Sequence, residues 1–530
     1  MQKDGVISYK QPLLTIEKLN FVTNNTVSLA YRLFCCYNGV MIDNAGRDGC
    51  TIKLLSLEME NFGCVKKGSF SMDGGGYSAL RIMGVYGQNG SGKSTLVRTL
   101  SFLRLLLCGA GIEDAEKYVR IGEEYASLAA EFSVDTGSAK KLFSYSVRIA
   151  RPRDGQDWAV EEEKVVLSDM ENLKNKASFS YNAADAANPV TPAAIRNGLM
   201  SFLEKHPSFS EGLTTQLFLL MQRDRSRFYK TSYIFGEQIL AVYGGYCAEN
   251  PESIFDYLKI MSEYALHYCF VITDSFVNGG ISRDGTIPVL FPNQKQYSSG
   301  ALNYFPLSMD GPTRVMESEK NAFVGFLSAL NRLVVSLSPG TRLVAMEMPG
   351  IGRRIAGNSG NAEHYYSLLT EKDGFRIPIK YESLGIKKII SLVNVMALAY
   401  VNPTVLLVID ELDSSISEMV LETFLNLFSK SGRGQLVFTA NNLYPLEILD
   451  KSCCCFTGTN PSDRYVHLKY VKPNNNLRSL YMNLIRQGGD DKNPDLFTPL
   501  SEENMKRIFE ESPGEEQAQT PMHRDYYSGK

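Results

Sequence analysis

Apolar and polar positions divide the chain into segments with the periods of strands and helices. The run "TIKLLSLEMENFGCVKKGSFSM" at 51–72 alternates apolar and polar residues, which predicts a pair of β-strands. The stretches "SLAAEFSVDT" and "LFSYSVRIA" continue this alternation around a glycine-containing turn and predict a second pair. Apolar residues spaced three and four apart in "GLTTQLFLLMQ" and "SIFDYLKIMSEYALHYCFVI" predict helices. We therefore expect an antiparallel β-unit followed by a mainly helical segment.

Two other segments have the pattern of strands in the centre of a parallel sheet. Residues 405–409, "VLLVI", are apolar without interruption, and "GRGQLVFTANN" at 432–442 contains a similar run. A strand that is apolar on both faces is typical of the buried centre of a parallel sheet. A third strand, "ALRIMGVYG", leads into a glycine-rich turn, and the helical pattern "STLVRTLSFLRLLL" follows that turn.

These patterns predict a discontinuous domain organisation. Residues 51–185 form a first lobe with the glycine-rich turn and the β-unit, and residues 186–335 form a mainly helical insertion. Residues 336–475 form a second lobe with the two buried strands, and residues 476–530 hold C-terminal helices and a disordered tail. Residues 1–50 contain no motif and remain unassigned.

Composition and charge narrow the classes of function. The chain has 530 residues, 44% of them hydrophobic and 21% charged, which is the composition of a globular protein too long for one core. The net charge of −3 excludes a generally basic surface, so any DNA or other nucleic acid would need a local patch. Since no run of about 18 uncharged apolar residues is present, we expect no membrane contact and a cytoplasmic location.

The glycine-rich turn has the complete P-loop pattern GxxxxGK[ST]. Its glycines let successive backbone N–H groups point at phosphate oxygens. Lys93 is placed to reach the β- and γ-phosphates, and the Ser94 hydroxyl to ligate Mg²⁺. The preceding strand and following helix place this phosphate site at a helix N-terminus. The predicted nucleotide-binding residues here are Gly87, Gln88, Asn89, Gly90, Ser91, Gly92, Lys93, Ser94 and Thr95.

An acidic pair follows the buried strand at 405–409. Asp410 stands at the carboxyl end of that strand, where it is predicted to hold Mg²⁺ directly or through a water molecule. Glu411 is then placed to polarise an attacking water, which makes it the predicted catalytic carboxylate. An ordinary buried strand with a polar end is the alternative, and the P-loop favours the catalytic interpretation.

The spacing of these motifs carries a family resemblance. The P-loop ends at residue 95 and the acidic strand begins at residue 405, a separation that resembles the ABC-type heads of RecF, SMC and OLD proteins. The start "LEMENF" is similar to the first strand of RecF- and SMC-like ATPases. The resemblance implies an α/β P-loop NTPase of the ABC-ATPase head type, with a mixed sheet, an antiparallel β-subdomain and a helical insertion.

The segment "ESLGIKK" at 382–388 lies where ABC ATPases carry their signature motif. Ser383 and Gly385 match the serine and second glycine of that motif, while Glu382 and Leu384 depart from it. The resemblance implies that Ser383 and Gly385 grip the γ-phosphate of ATP bound to another subunit. An N-capped core helix is the alternative.

Asn441 occupies the position where ABC heads usually carry a switch histidine. It is predicted to act in catalysis by donating a hydrogen bond to phosphate, but an amide cannot become a cation. Together with Glu411 and Lys93, Asn441 completes the predicted catalytic set. The departure from histidine implies slow or regulated hydrolysis of ATP to ADP and phosphate.

The resemblance also implies partners. One chain cannot supply both faces to one nucleotide, so a homodimer or higher homo-oligomer with ATP sandwiched between the chains is expected. The chain looks like the ATPase subunits of bacterial anti-phage systems such as PtuA, AriA and AbiL, whose partners are HNH or Toprim-like nucleases. A DNA-repair or DNA-maintenance ATPase of the RecF type, which binds DNA directly, remains the alternative.

Overall fold

A computed structural model describes most of the chain. The described residues are 50–112, 115–151, 157–173, 176–185, 188–210, 213–273, 286–290, 304–309, 311–348, 362–467, 476–489, 497 and 502–510. The unassigned segment 1–49 and the tail beyond 510 lie outside these residues. Two sheets and the helices around them share one large apolar core, whereas the length of the chain predicts more than one.

The central sheet has six strands in the order β19-β18-β3-β17-β16-β9, and all are parallel except β19. Every residue of β16 and β17 is buried, as their uninterrupted apolar sequences predict. Its strands are β3 (Ile82–Gly87), β9 (Cys269–Ile272), β16 (Leu406–Ile409), β17 (Gln435–Thr439), β18 (Cys454–Thr457) and β19 (Tyr465–Val466).

The outer sheet has seven antiparallel strands in the order β2-β1-β4-β5-β6-β7-β8. In β4 buried and half-buried positions alternate along the whole strand, so one face packs on the core. The buried side chain of Gln435 pairs with the backbone N–H and C=O of Leu54, which joins this sheet to β17. Its strands are β1 (Thr51–Phe62), β2 (Val65–Ser71), β4 (Tyr125–Asp135), β5 (Lys140–Ala150), β6 (Ala159–Asp169), β7 (Lys176–Asn182) and β8 (Val190–Thr191).

The helices lie between these sheets and around them. The P-loop helix α1 begins at Lys93, directly after β3 and the glycine-rich turn. The helices are α1 (Lys93–Leu107), α2 (Ala193–Lys205), α3 (Thr215–Tyr229), α4 (Glu237–Glu249), α5 (Ile254–His267), α6 (Lys320–Leu337), α7 (Leu384–Val401), α8 (Glu418–Ser431), α9 (Pro445–Ile448), α10 (Leu477–Gln487) and α11 (Glu502–Glu510).

Two smaller β-units complete the described architecture. A hairpin pairs β10 (Thr286–Leu290) with β11 (Tyr304–Ser308). In the other unit, β14 (Glu363–Lys372) pairs with β12 (Thr313–Met316), β13 (Arg342–Glu347) and β15 (Phe375–Pro378). A 3₁₀ turn then connects β15 to α7. Helix α7 has the length and mean hydropathy, 1.6, of a membrane span, yet 56% of it is buried within the protein. Its burial against the sheet identifies it as a core helix.

The structure corrects the sequence interpretation of the segment 186–335. The run "CFVI" was included in a predicted helix, whereas Cys269–Ile272 is a strand that pairs with β16 at the edge of the central sheet. Strands β8 and β10 to β12 also fall in this segment. Four consecutive apolar residues fit a buried strand and a helix end equally well, so periodicity could not separate the two. The helical segment therefore contributes one strand to the central sheet.

A buried carboxylate ties the helical segment to the outer sheet. Glu163 in β6 is 2% exposed, and its Oε1 accepts hydrogen bonds from the hydroxyls of Tyr145 and Ser232 at 2.6 and 2.5 Å. Its Oε2 accepts from the backbone N–H groups of Tyr233 and Ile234 at 2.7 and 3.2 Å. Burial raises the pKa of Glu163, against the effect of these four donors. The segment 232–235 is thus held to the sheet by one side chain.

Replacing Glu163 is expected to destabilise the protein. Glu163→Leu should lower the free energy of unfolding by about 3 kcal/mol, because two backbone N–H groups and two hydroxyls lose their acceptor. Glu163→Gln should cost much less, since both hydroxyls can rotate to accept from the new amide. Urea unfolding measures the difference, with Glu162→Leu, an exposed neighbour on the same strand, as the control. Equal losses for Glu163→Leu and Glu162→Leu would contradict this role.

Candidate nucleotide-binding site

The P-loop connects the end of β3 to the first turn of α1. Gly90 and Gly92 have φ angles of +76° and +110°, conformations that favour glycine. Gly87 meets a different constraint, because a Cβ there would lie 1.8 Å from the Thr457 hydroxyl oxygen. Asn89 and Gly90 are exposed at the tip of the loop, and Lys93, Ser94 and Thr95 begin the helix. The nine residues predicted from the motif therefore form one continuous segment, from the last residue of β3 to the first turn of α1.

The last strands of the central sheet hold this loop in place. The Thr457 hydroxyl at the end of β18 is hydrogen-bonded to the Ser91 hydroxyl. The Tyr465 hydroxyl in β19 donates to the carbonyl of Gly92 at 3.0 Å, and Arg464 donates to the carbonyl of Ser91 at 3.5 Å. The loop is consequently fixed by residues that follow it by more than 360 positions.

Lys93 lies within the electrostatic range of carboxylates in the acidic loop, which comprises residues 410–415. Its side chain is buried, and its Nζ donates to the carbonyl of Gly87 at 2.6 Å. Burial lowers the pKa of Lys93, and the charges of Asp410, Glu411 and Asp413 oppose that shift. These charges act on Lys93 because the P-loop and the acidic loop meet at the carboxyl edge of the central sheet, with β17 between their strands.

Asp410 and Glu411 are oriented by one hydroxyl on β17. Thr439 Oγ1 donates to Asp410 Oδ1 at 2.6 Å and accepts from the backbone N–H of Glu411 at 2.7 Å. Glu411 has a φ of +48°, a left-handed conformation that is uncommon for a residue with a side chain. The Asp410 carboxylate and the backbone of Glu411 are thus held to β17, the strand that separates them from the P-loop.

The two predicted magnesium ligands line the same cavity. Ser94 and Asp410 both face an open cavity of about 1070 Å³ beside α1. Gly63 and Cys64, from the turn after β1, lie on its wall with the loop 116–121. A hydroxyl and a carboxylate are ligand types that Mg²⁺ accepts, so this arrangement fits the metal that the P-loop pattern implies.

The predicted signature residues lie outside this cavity. Ser383 caps α7 by accepting from the backbone N–H of Ile386 at 3.3 Å, and the neighbouring Leu384 is 51% exposed. Gly385 packs against the loop after the acidic pair, since a Cβ there would lie 2.3 Å from the carbonyl oxygen of Ser415. Ser383 and Gly385 do not line the cavity that contains Ser94, and neither do Lys93 and Glu411. The predicted contact of Ser383 and Gly385 with ATP bound to another chain stays a prediction.

Asn441 lies two residues beyond the end of β17. Its side chain is exposed, and its backbone N–H donates to Asp413 Oδ2 at 2.9 Å. The N–H of Asn442 donates to the same oxygen at 2.6 Å. Asp413 thereby fixes the backbone of Asn441 beside the acidic loop, while the catalytic role of the amide stays a prediction.

The sequence interpretation missed several residues that shape the site. Thr439 stands two residues before Asn441 in the same quoted strand, and Asp413 follows the acidic pair by two positions. Two signals in the sequence could have identified Thr439 and Asp413. They are a hydroxyl at the end of a buried strand and a third carboxylate near an acidic pair. Thr457, Arg464 and Tyr465 had no motif to mark them, because their contacts come from distant parts of the chain.

A family comparison agrees with this geometry. Residues 82–217 match the family described as "AAA domain, putative AbiEii toxin, Type IV TA system". The match begins at the strand that leads into the P-loop. The described fold is an α/β fold in which the P-loop follows strand β3 of a mixed central sheet. No curated protein matches this sequence at a significant level.

Solved structures of SMC and RecF ATPase domains share low similarity with this chain. The Smc head domain with an extended coiled coil, from Pyrococcus furiosus, has 14% identity and a TM-score of 0.34, over 82% of this chain and 99% of that chain. The recombination mediator protein RecF with ATP has 12% identity and a TM-score of 0.33, over 77% and 95%. The SMC head domain from Thermotoga maritima has 14% identity and a TM-score of 0.32, over 79% and 100%. Similarity at this level says nothing about what the chain binds.

The contacts of Gly87 generate a test of the P-loop geometry. Gly87→Ala is expected to lower the thermal unfolding midpoint more than Gly90→Ala. Alanine at 87 would clash with Thr457, whereas a Cβ at 90 meets nothing within 4 Å and only its positive φ costs about 1–2 kcal/mol. Calorimetry of both variants measures the difference. A smaller loss at 87 than at 90 would show that β18 does not hold the loop.

Proposed function

We propose that the chain binds and hydrolyses ATP as an ABC-like ATPase. The observation that carries this proposal is the convergence of the P-loop with the acidic loop at one edge of the central sheet. Lys93 and the P-loop N–H groups would bind the β- and γ-phosphates, and Ser94 with Asp410 would hold Mg²⁺. Bound Mg²⁺ would neutralise charge on the phosphates. Glu411, anchored through its backbone to Thr439, would accept a proton from the attacking water.

Two chains would be needed for one complete site. The P-loop and acidic loop are partly buried in one chain, whereas Ser383 and Leu384 are exposed at the N-terminus of α7. Backbone N–H groups at a helix N-terminus favour an anion. We propose that Ser383 and Gly385 contact the γ-phosphate of ATP held by a partner chain, so that ATP closes a homodimer and hydrolysis opens it.

We propose a regulatory role in anti-phage defence for this ATPase cycle. The description of the family that matches residues 82–217 names a toxin of a toxin–antitoxin system, which supports a place among such systems. The ATPase would restrain or release a separate nuclease, HNH or Toprim-like, in the cytoplasm. The alternative function is that of a RecF-type ATPase that binds DNA directly, and an experiment must distinguish between the two functions.

Two substitutions should separate ATP binding from hydrolysis. Lys93→Ala is expected to weaken ATP binding by about 10- to 100-fold, since a charge-assisted contact with phosphate is lost. Glu411→Gln should keep ATP affinity, slow phosphate release by about 100-fold or more and accumulate an ATP-dependent dimer. Fluorescent-nucleotide titration, phosphate assays and light scattering measure these effects.

The control for Glu411→Gln is Glu418→Gln, an exposed carboxylate at the start of the next helix. It should behave like the wild type in all three assays. Undiminished ATP affinity in Lys93→Ala would contradict the proposed site, and a monomeric Glu411→Gln protein with bound ATP would contradict the sandwich.

The defence role predicts dependence on both the ATPase and a nuclease. Cells that carry this chain with a nuclease encoded beside it should resist phage, and Lys93→Ala should abolish the resistance without loss of the protein. The plating efficiency of phage measures the effect. Salt-dependent binding of duplex DNA by the purified chain, with no association with the nuclease, would favour the rival function.

A further inference from the structure

Lys388 is buried between the signature helix and the acidic loop. It lies in the second turn of α7, five residues after Ser383, and is 2% exposed. Its Nζ donates a hydrogen bond to the backbone carbonyl of Glu411. A buried ammonium group is costly unless polar groups hold it, so this contact joins α7 to the residue proposed to activate water.

The backbone of Glu411 is held from both sides. Its N–H donates to Thr439 on β17, and its carbonyl accepts from Lys388 on α7. The φ of +48° between these two groups costs about 1–2 kcal/mol for a residue with a Cβ. A conformation of this kind persists only where its surroundings impose it. The direction of the Glu411 side chain therefore depends on the position of α7.

A second contact connects the same two segments. The backbone of Gly385 lies against the carbonyl of Ser415, so that a Cβ at 385 would meet this oxygen at 2.3 Å. Beyond this turn α7 enters the core, where Ile390 and Leu392 are at most 1% exposed. The start of α7 is exposed at Ser383 and packed against the acidic loop at Gly385 and Lys388. A shift of this part of α7 would therefore move the backbone of Glu411.

We infer that Lys388 is a positioning residue that couples Glu411 to the signature helix. This inference rests on the proposed function. When ATP held by the partner chain contacts Ser383, the first turn of α7 takes a defined position, and Lys388 sets the backbone of Glu411 accordingly. Hydrolysis of ATP at the P-loop of one chain then depends on ATP at the P-loop of the other. The two sites of a dimer are consequently expected to act cooperatively.

The test compares two adjacent lysines. Lys388→Met removes the ammonium group at nearly constant length, and Lys387→Met is the matched control, because Lys387 Nζ donates near the surface to the carbonyl of Lys380 at 2.6 Å. Lys388→Met should keep ATP affinity, lower the turnover rate about 10- to 100-fold and make the ATP dependence of turnover hyperbolic. Lys387→Met should match the wild type, with a sigmoidal ATP dependence.

Three outcomes would overturn the inference. They are an unchanged turnover rate in Lys388→Met, an equal loss in both variants, or a lower rate with unchanged sigmoidal dependence. A wild-type protein that does not hydrolyse ATP would refute the proposed function instead. Circular dichroism checks that each variant is folded.

An exposed substitution tests the coupling without touching the buried lysine. Ser383→Arg should block contact with the partner's nucleotide and leave the P-loop intact. In wild-type protein, ATP is expected to slow amide hydrogen exchange in residues 410–415, and Ser383→Arg should abolish this protection while ATP still binds. Persistent protection in Ser383→Arg would overturn the coupling, whether or not Lys388→Met folds.

Discussion

The parallel pairing of β17 with both β3 and β16 is the constraint on which the site depends. Val437 lies opposite Met83 on one side and Val408 on the other, and all three side chains are buried. A one-residue shift of register would move every side chain to the opposite face and disrupt the packing on both faces of the sheet. Because the carboxyl ends of parallel strands meet at one edge, this pairing brings the P-loop to the acidic loop although residues 95 and 405 are far apart in the chain.

The remaining parts of the fold hold that edge in place. Strands β18 and β19 supply the side chains that fix the P-loop, and Gln435 joins β17 to the outer sheet. Glu163 ties the outer sheet to the segment 232–235. This segment also contacts the end of α1, where a Cβ at Gly109 would lie 2.1 Å from the carbonyl of Phe235. The helix that carries Lys93 is thus anchored at both ends.

The proposed site is divided between a buried part and an exposed part. Lys93 and Asp410 are each 8% exposed, and Thr439 is fully buried. The part of the proposed site that a chain supplies to its own nucleotide is therefore preorganised within the core. The N-terminus of α7 is open to solvent, as a group that acts on another chain must be. Lys388 and Gly385 connect the two parts, so the exposed start of α7 is in direct contact with the acidic loop.

The sequence by itself determined the local features of this protein. The P-loop, the buried strands and the alternating outer strands could be predicted because spacing and polarity within about a dozen residues specify them. Tertiary structure alone decided that Cys269–Ile272 joins the central sheet, since four apolar residues fit several elements. It also decided the structural roles of Thr439, Asp413, Lys388 and Thr457, which are the hydrogen bonds that each side chain makes. A hydroxyl, carboxylate or ammonium group acquires such a role only from its partner, and here each partner comes from a different segment of the folded chain.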